Sequence, residues 1–394
     1  MPEPSPHVTS RLRRFGESIF TEVSRAAAKS GAINLGQGFP DFDGPDFVKA
    51  AAVRAINDGP NQYAPVGGLP ILTEAIAQRF QATQSVVVDP ATQVTVTPGC
   101  TGAIASAMLG FLEPGDEVLL LEPWYDSYPA MVEMAGAVCR YLRLESPAFR
   151  ITRSALEAAI TPATRMMVVN TPHNPTGRVL DDEELAAIEA VAEEHDLVVF
   201  SDEVYEFLHY DVPHRSLLTR PGLQNRTIVG SSIGKTFSLT GWKIGWTIAS
   251  PELTEAVRAA HQFTIFSVAT PLQVAAAEAL SAPDEYFRVF RHDYRMKRDL
   301  LVAGLESAGL DVIIPEGTFF VLVDHRKYGL PDDRAFCRHL MAEAGVAAIP
   351  VSAFHHDGDE PDGGGRELVR FAFCKNERVL LDAISRLQRL QAGG

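Results

Sequence analysis

Cysteine is scarce in this chain. Only four, Cys100, Cys139, Cys337 and Cys374, occur in 394 residues, and no two have the spacing of a zinc site or a redox pair. Reduced thiols and a cytoplasmic setting are therefore expected, and no metal site. Positive charge is also in deficit. Thirty-five Lys and Arg face 50 Asp and Glu, a net charge of −15, which argues against nucleic acid or an anionic membrane as partner. An anionic ligand would then need a local group of cations, so each Lys or Arg at a cleft becomes informative. No uncharged apolar run reaches the ~18 residues of a membrane span. The opening MPEPSPHVTSRLRRF lacks an apolar core, so no signal peptide is expected there.

What is present is ordinary for a globular protein: 46% hydrophobic and 22% charged residues, on a chain long enough for two or three domains. Residues 1–10 read as a tail or arm. Helices are expected over 15–29, 46–58 and 71–82, separated by two Gly/Pro loops, INLGQGFPDFDGP (33–45) and NQYAPVGGLP (61–70). From residue 94 to 231 strands and helices alternate. Strands are expected at 94–97, 118–123, 138–144, 166–170, 197–205 and 228–231, with helices at 102–112, 126–136, 156–160 and 181–195. Such alternation implies an α/β fold with a mostly parallel sheet covered on both faces. Ligands of such sheets bind at the carboxyl ends of the strands. The polar residues at those ends are Cys100 and Thr101, Trp124 and Tyr125, Asn174, Asp202 and Tyr205, and Ser232 and Lys235.

Past residue 251 helices follow. HQFTIFSVATP (261–271) is apolar and irregular, so it is either core or a subunit contact. A long helix over 284–308 leads to an α+β pattern with strands in 311–324, 346–349 and 368–374, a helix over 332–344 and a polar, flexible loop at 355–366. The shift near 282 divides the chain into an arm with part of a small domain (1–44), a large domain (45–282) and the rest of a smaller α+β domain (283–394).

The stretch SSIGKTFSLTGWKIGW (231–246) organises the rest. Lys235 stands among small residues after an apolar strand, which places its amine at a strand end facing a cleft. A lysine in a Gly/Ser loop is ordinarily a solvated one. A lysine that loses its proton easily can instead form an imine with a carbonyl. Ser232 and Lys243 together can hold one phosphate, so the stretch offers an imine-forming amine beside an anion site, as pyridoxal phosphate requires. A nucleotide phosphate loop is excluded because Val229 occupies the place of its first glycine.

The pieces GQGFP (36–40), NQY (61–63), TPGCTGA (97–103), EPWYDSY (122–128), NTPHNPTG (170–177), SDEVY (201–205), 231–246 and RFAFC (370–374) run in the order of one family. With them the chain resembles the class I pyridoxal-phosphate aminotransferases over nearly its whole length. The likeness is nearest to the branch with kynurenine, glutamine and methionine aminotransferases, and to N-succinyldiaminopimelate aminotransferases.

The resemblance implies that Lys235 carries the cofactor and moves the substrate proton. It implies that Asp202 holds the ring nitrogen's proton, although such an Asp is otherwise read as a cap. Asn174 and Tyr205 would bond the ring oxygen, and Tyr125, with Trp124 as competitor, would stack on the ring. The backbone of Cys100 and Thr101, with Ser232, Lys243 and Tyr63 of a second subunit, would bind the phosphate. Lys243 departs from the arginine of the aspartate-type pattern. Arg370, with Asn174 and the backbone of Gly38, would grip the substrate carboxylate. A homodimer with shared sites, amino acid and 2-oxoacid substrates and a ping-pong mechanism follow from the same resemblance. The alternatives are a C–S β-lyase on the same fold and a non-catalytic regulatory protein.

Overall fold

The computed structural model describes residues 7–393, so the arm expected at 1–10 lies outside the described residues as far as residue 6. The first strand, β1 (Ile33–Asn34), follows the helix Ile19–Ser30, whose N-cap Ser18 accepts from Thr21 N–H. The alternating region supplies β2 (Val94–Thr97), β3 (Glu117–Glu122), β4 (Val138–Arg143), β5 (Thr164–Asn170), β6 (Val198–Asp202), β7 (Thr227–Ser232) and β8 (Gly245–Ile248). They form one seven-stranded sheet in the order β2-β8-β7-β6-β5-β3-β4. β3 to β7 run parallel, and β8 is antiparallel to both neighbours. The central strands β6 and β7 are buried at every residue, which is why they read as continuous apolar runs.

Helices cover both faces. On one, the helix Gly99–Phe111 packs against Pro251–Thr264, with Gly110 facing the carbonyl of Ala256 so closely that a side chain would not fit. On the other lies Asp182–Glu194, started by a capping box in which Asp181 and Glu184 satisfy each other's backbone N–H groups.

The remaining strands are β9 (Asp311–Ile313), β10 (Phe320–Asp324), β11 (Val346–Ala347), β12 (Ile349–Pro350) and β13 (Leu368–Ala372). Four of them make an antiparallel sheet, β12-β13-β10-β9, while β11 pairs in parallel with β1. The first strand therefore joins the C-terminal part of the chain. Arg370 lies in the middle of β13, opposite Leu322 and Ile349.

Several boundaries differ from the sequence reading. The helix expected over 102–112 begins at Gly99. The strand expected over 197–205 ends at Asp202, and turns follow. The first half of 261–271 is helical, so only 265–269 is irregular. Lys235 belongs to a single helical turn, Ile233–Thr236, and not to an open loop. The loop at 355–366 is pinned. His356 N–H donates to Glu122 Oε1 at 2.7 Å, Gly364 N–H donates to Asp357 Oδ1 at 3.0 Å, and Asp357 pairs with Arg143. Glu122 and Arg143, two of its anchors outside the loop, lie far off in sequence, which is why its polar composition reads as flexible. Among the described residues no helix is long and apolar enough to cross a membrane, and no cluster of His, Cys, Asp and Glu could hold a metal ion.

Candidate active site

A cavity of about 310 Å³ opens where β3, β5, β6 and β7 end. Asp202 is the last residue of β6, Ser232 the last of β7, and Lys235 follows one helical turn later. Tyr125 follows β3 and Asn174 follows β5. Opposite them the loop after β1 contributes Gly38 and Phe39, and β13 contributes Arg370. Tyr125 lines the cavity. Trp124 packs away from it, against Tyr141, with ring centroids 4.9 Å apart.

The electrostatics follow from burial. Lys235 Nζ donates to Gly38 O at 3.3 Å and lies 5.6 Å from the Tyr205 ring and 5.5 Å from that of Phe319. Desolvation lowers its pKa, and the charges of Arg370 and Lys243 push the same way against Cys374 and Asp202. The amine therefore loses its proton more readily than an ordinary lysine. Asp202 is 4% exposed, and burial raises its pKa. Tyr128 O–H, Val204 N–H and the positive charge of Lys235 oppose that rise. The bond from Val204 is the local turn expected of an Asp at a strand end. The bond from Tyr128 has no counterpart in a simple cap.

Arg370 is fully buried. It donates through Nη1 to Asn174 Oδ1 at 2.7 Å and through Nη2 to Gly36 O at 2.9 Å. Its Nε has no hydrogen-bond partner among the described residues, and the Phe320 ring lies 3.8 Å from the guanidinium carbon. Desolvation pulls its pKa down to about 10. A buried cation without a paired carboxylate is costly, and an incoming carboxylate would relieve that cost.

The third cationic point is Lys243, whose Nζ donates to Thr101 Oγ1 at 3.3 Å. Thr101 and Cys100 occupy the first turn of the helix Gly99–Phe111, where backbone N–H groups have no partner inside the helix. The strand β8 passes this turn so closely that a Cβ on Gly245 would stand 2.7 Å from Cys100 N. Glycine at 245 is thus what lets β8 pass this close to the helix start.

Of the residues singled out from the sequence, Lys235, Asp202, Tyr205, Cys100, Thr101, Tyr125, Asn174, Ser232, Lys243, Gly38 and Arg370 all line this cavity. Tyr63 does not. It is 82% exposed and meets the ring of Phe266 edge-on at 5.2 Å. The sequence reading missed Asn170, whose Oδ1 accepts from Asn174 N–H at 2.7 Å while its Nδ2 donates to Asp202 O at 2.8 Å. It gave no site role to Tyr128 or Gln37, whereas Phe39 and Phe320, two of the aromatics it read as suited to an apolar substrate side chain, do line the cavity. Tyr128 stands in the aromatic cluster after β3, and that cluster was the only signal for it.

The sequence profile of the family "Aminotransferase class I and II" matches residues 30–387. A Mycobacterium tuberculosis protein described as "Probable N-succinyldiaminopimelate aminotransferase" is 45% identical over 97% of this chain and 98% of its own length. The methionine aminotransferase of Escherichia coli is 39% identical, over 97% and 98%. Among solved structures, the N-succinyldiaminopimelate aminotransferase of M. tuberculosis superposes with a TM-score of 0.93 at 46% identity, covering 97% of this chain and all of that one. A single mutant of the aspartate aminotransferase of Thermus thermophilus gives 0.89 at 34%, over 97% and 99%. Site and relatives agree: the chain belongs to the class I and II aminotransferases, enzymes that transfer amino groups with pyridoxal phosphate as cofactor.

Proposed function

We propose that this aminotransferase moves the amino group of an uncharged L-amino acid, with an apolar, aromatic or sulfur-bearing side chain, to a 2-oxoacid, with glutamate and 2-oxoglutarate as one pair, in a ping-pong cycle. The observation that carries the reading is the set of cations. Among the described residues lining the cavity they are Lys235, Lys243 and Arg370. Lys243 stands at the anion site and Arg370 suits the α-carboxylate common to all substrates. That leaves no cation among the described cavity-lining residues for a second carboxylate on the donor. The wall left for the donor side chain is made of Phe20, Phe39 and Phe320, with the amide of Gln37 donating to Phe20 O at 2.9 Å.

The residues fit the cofactor. Tyr125 offers a ring face, Asp202 a buried carboxylate, Lys235 a desolvated amine, and the Gly99–Phe111 helix start with Ser232 and Lys243 an anion cradle. Asn174 and Tyr205 would hold its ring oxygen. When bound, the cofactor supplies an electron sink for the carbanion formed at the substrate Cα. Lys235 would hold it covalently and then carry the proton to and from Cα. Arg370 and the Gly38 backbone would orient the substrate so that its Cα–H bond faces the Lys235 amine. Asp202 keeps a negative charge where the ring nitrogen's proton must stay.

A donor panel with 2-oxoglutarate tests the proposal. Methionine and aromatic amino acids are expected to exceed aspartate and N-succinyl-LL-2,6-diaminopimelate at least about tenfold in kcat/KM, one pocket contact being worth that much. A preference for either of the acidic donors overturns it. Arg370→Lys is expected to raise KM for amino and oxo acids ~10–100-fold with an unchanged absorption spectrum, because the charge stays and the planar fork is lost. An unchanged KM would put the carboxylate site elsewhere.

The same reading takes the protein as a cytoplasmic homodimer with shared sites. Supporting it, Phe263 is 86% exposed, and the rings of Tyr63 and Phe266, 82% and 44% exposed, meet edge-on at 5.2 Å. Mixing Lys235→Ala chains with Tyr63→Phe chains should regenerate one site with both native groups. Mixing that restores nothing despite proven subunit exchange would exclude shared sites. The chain divides on this reading into a large domain, 45–282, and a smaller one built from 1–44 and 283–394, in keeping with the pairing of β1 with β11.

A further inference from the structure

Tyr128 stands in the first turn of the helix Ser127–Ala135 and is 3% exposed. Its hydroxyl donates to Asp202 Oδ2 at 2.7 Å, while Oδ1 of the same carboxylate accepts from Val204 N–H at 3.3 Å. Burial holds the phenol well above its ordinary pKa, so it stays protonated and can only donate to a carboxylate that can only accept. The ring is set by the edge of Tyr125, with centroids 5.7 Å apart at 77°. Tyr125 is the cavity-lining ring proposed as the stacking face. One side chain thus touches both the carboxylate and the aromatic wall of the site.

We infer that Tyr128 is a positioning residue for transamination: its hydroxyl aims the Asp202 carboxylate into the cavity and sets how strongly that carboxylate competes for the proton of the group it faces. This rests on the reading of Asp202 as the partner of the cofactor's ring nitrogen. The physical argument is about basicity. A hydrogen bond to the charged form of an acid favours that form. Without the Tyr128 donor the buried carboxylate is more basic and less fixed in rotamer. It then takes a larger share of the proton it should leave on its partner, less positive charge stays there, and the Lys235 nitrogen titrates at higher pH.

The test uses the holoenzyme in four forms: wild type, Tyr128→Phe, Asp202→Asn and the double variant. The single-turnover rate with methionine, the pH midpoint of the visible absorbance and the dissociation constant of pyridoxal phosphate are measured for each. Tyr128→Phe is expected to slow the single turnover about tenfold, the order of one hydrogen bond to a charged group, to weaken cofactor binding and to move the pH midpoint upward. In the Asp202→Asn background the same change is expected to add nothing, because the two act as one unit. Replacing Tyr128 by 3-fluorotyrosine, a stronger donor of the same shape, should move the midpoint downward, and it decides the matter should Tyr128→Phe fail to fold. An unmoved midpoint with either replacement, or equal losses in both backgrounds, would reduce Tyr128 to packing. If instead Asp202→Asn itself costs nothing, the assignment of Asp202 fails, and the two failures are told apart.

Discussion

Lys235→Ala is expected to abolish transamination and leave the protein folded. On the proposed reading, removing this amine takes away both the covalent hold on the cofactor and the carrier of the substrate proton. Proton transfer by a positioned side chain is worth ~10²–10⁴ in rate, and loss of nucleophilic attachment adds to that, so a fall of about 10⁴ or more is expected. The fold does not depend on it. Nζ makes one long hydrogen bond, 3.3 Å to Gly38 O, and its charge is a desolvated one. Removing an unfavourably buried charge costs little, so the melting temperature of the cofactor-free protein should stay the same or rise. Borohydride treatment of the wild type followed by peptide mapping checks the assignment directly. The reduced cofactor should be found on the peptide of Lys235. Recovery of the label on Lys243, the next lysine in the cavity, would overturn the central assignment.

Asp202→Asn carries the second largest effect. The variant keeps the shape of the side chain and an oxygen able to accept from Tyr128 O–H or Val204 N–H, so fold and most cofactor binding should persist. What is lost is the negative charge. A neutral amide cannot hold a proton on a basic ring nitrogen, and preorganised charge of this kind is typically worth ~3–4 kcal/mol of barrier, or ~10²–10³ in rate. Burial raises the pKa of the Asp202 carboxyl above its ordinary value. Its charged form at neutral pH therefore costs the folded state some stability, fully present above the raised pKa and relieved as pH falls through it. Without its ligand the Asn variant should for that reason melt no lower than the parent at pH 7. Stopped-flow measurement of the half-reaction with methionine settles the role. Turnover near the wild-type rate would leave Asp202 as a turn-forming residue alone.

Much of the site is legible in the amino-acid sequence, and for a physical reason. Strands buried on both faces must be apolar throughout, so β5, β6 and β7 stand out as MMVV, VVF and IVG. Each such run can turn polar only where it leaves the sheet. In a parallel sheet those exits share one edge. Asn174, Asp202, Ser232 and Lys235 can therefore be placed together from spacing alone, and the family resemblance then suggests what each does.

Tertiary structure decided what no local pattern encodes. Arg370 meets Asn174 across 196 residues, and Tyr128 meets Asp202 across 74. An arginine within an apolar strand reads as an edge residue or a core ion pair until the facing elements are known. The close pass of Gly245 over the helix start at Gly99, the antiparallel entry of β8 and the helical turn carrying Lys235 leave no mark in the sequence either. A four-residue helix is too short to produce a periodic signal. In the same way, His261 to Thr264 continue the helix that begins at Pro251, whose buried stripe of Leu253, Val257 and His261 only packing reveals. The sequence by itself determined which residues could do the chemistry and on which edge of the sheet they lie. Strand order and helix packing decided which of them touch, because side chains tens to hundreds of residues apart are brought within hydrogen-bond distance only by the completed sheet.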